Sequence, residues 1–326
     1  MTQAKIRKQN IFNTTTAAIK FVLFWVMVVI QLPILILLPK RYAVRYMPVF
    51  MWFLIKLAGI KIVVHGTVSK ARPLMIVANH ISVFEIATFP FAFRGSFIAK
   101  KEMENWPLVG FVAKKFGVIF VDRRPSHARD ALTVVQKTVQ TVKYPMILFP
   151  EGTTTNGAYV KSFKSTLFNF VENSNVTVQP VVMHYRYKDG SAIDDQTMAD
   201  HFAYFDNAKM DMGPKCARER SAFGQVFHIM MLGGFMVEIT MLPPPPLAGM
   251  DRKQIADVLH KIVSEKYMQL KDEKTHTIHY IRTGVGKIRT KLCHQIILQN
   301  LSSKNFQSLK LESFSLIFLA NELNLL

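Results

Sequence analysis

Pro73-Leu74-Met75-Ile76-Val77-Ala78-Asn79-His80-Ile81-Ser82-Val83-Phe84-Glu85 carries the reading of this chain. Leu74–Ala78 is a short, wholly apolar run, the pattern of a strand buried on both faces. Asn79 and His80 end it. Ser82-x-x-Glu85 then has the spacing of a capping box, in which a serine starts a helix and the glutamate reaches back to its amide. The rest of the chain repeats this strand–turn–helix unit. Strands are predicted at 61–65, 74–78, 96–99, 118–121, 146–149, 178–183 and 236–242. Helices are predicted at 82–92, 106–116, 126–142, 162–172 and 251–270, the last capped by Asp251. Such alternation predicts an α/β domain, a mixed β-sheet layered with helices.

His80 and Glu85 are the first candidates for chemistry. A histidine beside a carboxylate can act as a general base with an orienting partner. A spacing of five does not stack two side chains on one continuous helix, whereas three or four would. The two meet only if His80 lies in the turn before a helix starting near Ser82. Three later segments also stand at strand ends. Gly117-Val118-Ile119-Phe120-Val121-Asp122-Arg123 ends in a charged pair, with Arg123 either a bidentate phosphate clamp or half of a surface ion pair. Phe149-Pro150-Glu151-Gly152-Thr153-Thr154-Thr155-Asn156-Gly157 offers amides and hydroxyls that can nest an anion, or an ordinary polar loop. Val178-Gln179-Pro180-Val181 places a proline in an apolar run, the mark of an edge strand or a bulge. There is no G-x-S-x-G elbow, no zinc spacing and no strong serine or cysteine nucleophile; Cys216 and Cys293 form no disulfide framework.

The flanks point to a membrane. Residues 21–38 read FVLFWVMVVIQLPILILL, with Gln31 the one polar side chain. A hydrocarbon core of roughly 30 Å takes ~20 such residues. Residues 17–60 are therefore expected to be membrane-embedded, either as one tilted span or as a two-helix hairpin in one leaflet, after a basic arm at 1–16. A cleaved signal sequence fits less well, since 38–41 reads Leu-Pro-Lys-Arg. Forty-one Lys and Arg against 22 Asp and Glu give a net charge of +19, which favours anionic partners. No nucleic-acid module accompanies that charge. Residues 271–326 are expected to be a tail, amphipathic helix or weakly ordered. A basic, membrane-tethered binding protein without catalysis is the alternative from another class.

Taken in order, the four segments resemble the blocks of the glycerolipid acyltransferase family, in particular its 1-acylglycerol-3-phosphate (lysophosphatidate) acyltransferases. Asn79-His80 through Glu85 is similar to NHxxxxD, with glutamate in the aspartate's place. Gly117–Arg123 and Val178–Val181 are similar to the second and fourth blocks, and Phe149–Thr153 matches Phe-Pro-Glu-Gly-Thr residue for residue. Phe163-Lys164-Ser165-Thr166 lacks the glycine of the family's Phe-Lys-x-Gly turn. The resemblance covers residues 20–270. It implies an enzyme moving an acyl group from a thioester to the free hydroxyl of lysophosphatidate, giving phosphatidate. Another lysolipid, such as lyso-ornithine lipid, is the alternative acceptor. It implies His80 as general base and Glu85 as its orienting partner. Arg123 and Lys100 would contact phosphate, Glu151, Gly152 and Thr153 would shape the acceptor pocket, and Pro180 the acyl channel. No metal or bound cofactor is implied; acyl-CoA or acyl-acyl carrier protein is the co-substrate. Membrane lipid is the partner, with the site on the cytoplasmic face.

Overall fold

A computed structural model describes residues 11–106, 108–121, 128–172 and 174–273. Arg123 and the tail from 274, Cys293 included, lie outside the described residues. Two long helices open the chain, α1 (Ile11–Leu37) and α2 (Lys40–Ala58). Then come β1 (Lys61–His65), β2 (Leu74–Ala78), α3 (Glu85–Phe93) and β3 (Ser96–Lys100). A 3-10 turn (Lys101–Asn105) leads to α4 (Val109–Lys115), β4 (Ile119–Val121), α5 (Ala128–Thr141), β5 (Met146–Leu148) and β6 (Thr177–Arg186). The last elements are α6 (Ala222–Leu232), β7 (Met236–Met241) and α7 (Arg252–Asp272).

Among the described residues the strands form one seven-stranded sheet in the order β1-β7-β6-β2-β5-β3-β4. Only β6 and β7 pair antiparallel, so the sheet is mixed, as expected. All five residues of β2 are buried, which is what a wholly apolar run requires between two neighbours. Because β2 and β5 are adjacent and parallel, the residues after both emerge at the same end of the sheet. Asn79 fixes that end. Its amide donates to the Met183 carbonyl at 2.9 Å and accepts from the Met183 N–H at 2.8 Å, joining the exit of β2 to β6.

Two expectations are corrected. Pro180 lies on neither an edge nor a bulge: β6 is interior, and its register with β2 runs unbroken from Leu74↔Thr177 to Ala78↔Val181. The β7 ladder ends at Val181↔Met241, one residue short of the proline. Residues 162–172 form only a 3-10 turn, Ser165–Phe168. The Lys164 amide is bound to the Pro150 carbonyl at 2.9 Å, which takes the backbone out of helical register before that turn begins.

The N-terminal hairpin is part of the packed body. Phe21 meets Phe227 and Trp25 meets Phe223, both on α6, with ring centroids 5.4 and 5.1 Å apart. At the other end, Lys115 of α4 donates to the carbonyls of Ile36 (2.9 Å) and Leu38 (3.2 Å), which no further helical turn can satisfy. Gln31 is buried and accepts from Tyr46 of α2 at 3.0 Å, so the lone polar residue of the apolar run faces protein. Val22, Val26, Val29, Ile30 and Leu37 leave an exposed apolar stripe on α1. The helix begins at Ile11, so part of the expected arm is helical. Where α2 ends, Gly59 adopts φ +70, and a Cβ there would lie 2.6 Å from the Gly233 carbonyl oxygen. Only glycine lets the ends of α2 and α6 meet that closely.

At the far end, Arg186 is fully buried. Its Nε donates to Glu238 at 2.6 Å, and its other nitrogens donate to the carbonyls of Leu270 (2.8 Å) and Glu273 (2.9 Å). One guanidinium thus ties β6 and β7 to the end of α7. Asp251 caps the start of α7 in a capping box with Gln254, as expected.

Candidate active site

His80 occupies the turn between β2 and α3, and its Nδ1 lies 3.1 Å from Glu85 Oε2. The five-residue spacing closes because α3 starts only at Glu85, leaving the intervening residues to curl. Both Glu85 oxygens accept the Ser82 N–H at 2.9 Å, while the Ser82 hydroxyl caps nothing. Half of the capping box therefore forms, and the same carboxylate serves the imidazole. Glu85 is fully buried, whereas the His80 side chain is 19% exposed. The ring stacks on Phe149 at 4.3 Å and 12°. With Nδ1–H given to the carboxylate, Nε2 is left unprotonated, and among the described residues nothing bonds to it. A ring held in that tautomer, with its free nitrogen reachable, can accept a proton.

The loop after β5 holds the His80 backbone from both sides. Glu151 accepts the His80 N–H at 2.6 Å through one oxygen and the Lys161 N–H at 2.8 Å through the other. Thr155 donates to the His80 carbonyl from its amide (2.9 Å) and its hydroxyl (3.2 Å). Asn156 is spent on the carbonyls of Met212 (2.9 Å) and Pro214 (3.0 Å). Glu151 is fully buried, and burial is the main cause pushing its carboxyl up to about 8, against the two amides that lower it. Glu151 and Thr155 thus point into the fold and position the base.

Gly152 turns outward at φ +73 with the stem of Lys164 across it; an added Cβ would sit 2.7 Å from Lys164 Nζ. Thr153 and Thr154 are half-buried beside it. Lys100 is exposed at the exit of β3, on the same end of the sheet. Pro180 is buried inside β6 opposite Val77, back from the sheet end where His80 emerges.

The sequence reading missed two residues. Tyr185 on β6 is fully buried and donates its hydroxyl to Glu85 Oε1. Its one signal was a phenol beside His184, just past the apolar run that ends at Met183. Lys164 was noted only for the glycine missing two residues after it. Among the described residues, no group of three or more His, Cys, Asp or Glu side chains could hold a metal ion.

Residues 61–184 match the Acyltransferase family model. The chain is 30% identical to the lyso-ornithine lipid O-acyltransferase of Pseudomonas aeruginosa, over 57% of this chain and 64% of that protein. It is 27% identical to the 1-acyl-sn-glycerol-3-phosphate acyltransferase of Neisseria gonorrhoeae, over 39% of this chain and 50% of that one. The matched part thus spans half to just under two thirds of these relatives' lengths. The crystal structure of the 1-acyl-sn-glycerophosphate acyltransferase PlsC from Thermotoga maritima shares the fold, with a TM-score of 0.56 and 18% identity over 81% of this chain and all of that one. Residues 61–184 are thus similar to the Acyltransferase family, on a sheet that shares the PlsC fold.

Proposed function

We propose that this protein is a membrane-bound lysolipid acyltransferase that acylates the free hydroxyl of 1-acylglycerol-3-phosphate from an acyl thioester. The observation that carries this is the reachable His80 ring held at 3.1 Å by a buried glutamate. His80 Nε2 takes the hydroxyl proton as the oxygen attacks the thioester carbonyl. The C–S bond then breaks, and the imidazolium returns the proton to the leaving thiolate. Glu85 stabilises that imidazolium. A base so placed contributes ~10²–10⁴-fold in rate. Lys164 and Lys100 supply cations for the acceptor's anionic group. Glu151 is a positioning residue in this scheme and leaves the acceptor to Gly152 and Thr153.

The acceptor is a lipid, and the hairpin supports a site at the leaflet. Among the described residues, one helix is long and apolar enough to cross a membrane. Yet α1 touches the folded body from Phe21 to Leu38, about 25 Å of its length at 1.5 Å per residue. A helix docked so far along its axis lies in one leaflet beside the domain. Lys40, Arg41 and Lys101 line a cavity of about 530 Å³ near its end, where they would meet anionic headgroups on the cytoplasmic face.

A second acceptor is favoured by relatives named as lyso-ornithine lipid O-acyltransferases, at 27–34% identity. The test reconstitutes the protein in vesicles with labelled acyl-CoA and either lysophosphatidate or lyso-ornithine lipid. His80→Ala should abolish transfer while vesicle binding persists. Full transfer by His80→Ala would refute the mechanism, and a preference for lyso-ornithine lipid would replace the acceptor.

A further inference from the structure

We infer that Tyr185 is a positioning residue of the reaction, aiming the glutamate carboxylate at the base and setting how strongly it holds the proton. This rests on His80 acting as the base. Glu85 is one methylene longer than the aspartate of the family pattern, and the terminal torsion of a glutamate is broad. The Ser82 amide lies 2.9 Å from both oxygens and so does not choose between them. Tyr185 does choose. Its hydroxyl takes Oε1, which leaves Oε2 for Nδ1 of His80. The ring cannot swing away, since it is buried against Phe235 with centroids 4.6 Å apart. Burial raises the phenol well above its ordinary range, so it remains a donor at every working pH. The titratable groups around this cluster are Glu85 on α3, Glu151 after β5 and Tyr267 on α7.

The phenol proton and the imidazolium draw on the same carboxylate charge. Without the phenol, that charge falls more fully on the imidazolium and the base becomes more basic. Tyr185→Phe should lower kcat about tenfold, leave both KM values within about twofold, and move the acidic limb of the pH–rate profile to higher pH. Incorporating 3-fluorotyrosine at position 185 keeps the shape and strengthens the donor, so the limb should move to lower pH. Phe235→Leu disturbs the packing but keeps the hydroxyl, and should leave the limb in place. Should Tyr185→Phe fail to fold, the fluorinated protein still decides. An acidic limb that neither change moves would overturn the proposal, provided His80→Ala is inactive. An active His80→Ala would instead refute the underlying mechanism.

Discussion

Glu151 shows how one residue's ionisation is set by the fold. Its carboxyl is raised to about 8 by burial, from an ordinary value near 4.5. The folded state therefore holds a proton that the unfolded state has released. Its contribution to stability is complete below about 4.5 and is lost as the pH rises to about 8. Glu151→Gln should flatten the fall of Tm with pH across that window, as thermal melts from pH 5 to 8 would show. Glu85→Asp tests the neighbouring carboxylate. An arm shorter by one methylene cannot reach Tyr185 and His80 together, so kcat should fall about tenfold, and Tm should drop because a buried group loses its partner. Double substitution with Tyr185→Phe should add little, because both remove the same alignment. His80 and Glu85 were legible because five residues separate them. The contacts of Thr155 and Tyr185 were not: their partners lie 75 and 100 residues away in sequence, and no local pattern joins them.

Elements were legible wherever a period or a cap marked them. The seven strands follow short apolar runs, and α7 starts at a capping residue. α6 was missed because Phe223, Val226, Phe227, Ile229 and Met230 lie around a helix whose polar residues, Gln225 and His228, are themselves buried. Such a helix is covered on more than one side, here partly by α1. The helix expected at 162–172 failed for the opposite reason. Its apolar spacing fits a helix, but Phe163, Phe168, Phe170 and Val171 are buried in a loop whose 3-10 turn packs against α7 instead. Arg186 holds α7 to the sheet, and its loss would leave Glu238 buried without its closest cation. Arg186→Met should cost ~3–5 kcal/mol in denaturant unfolding. Cleavage by a protease should then begin near the end of α7.

At the scale of the whole molecule, the sequence supplied an apolar segment but not its placement. Length and hydropathy suit a span and a leaflet hairpin equally; the leaflet placement proposed above rests on contacts to α4 and α6, which are far off in the chain. Removing residues 11–58 should uncover Phe116 and Phe227 and give an aggregated chain, whereas a detachable tether would leave a soluble domain. Size-exclusion chromatography of the shortened chain distinguishes the two. The hairpin docked at both ends has one more effect. A flexible tether would let the enzyme sample a range of heights above the bilayer. This one is packed against α4 and α6, so in the proposed leaflet placement the distance from the acyl-chain region to His80 would be set by the fold. On the proposed function, an enzyme so anchored would work as a depth gauge, reaching hydroxyls at one level of the headgroup layer and passing over identical hydroxyls held higher by longer polar groups.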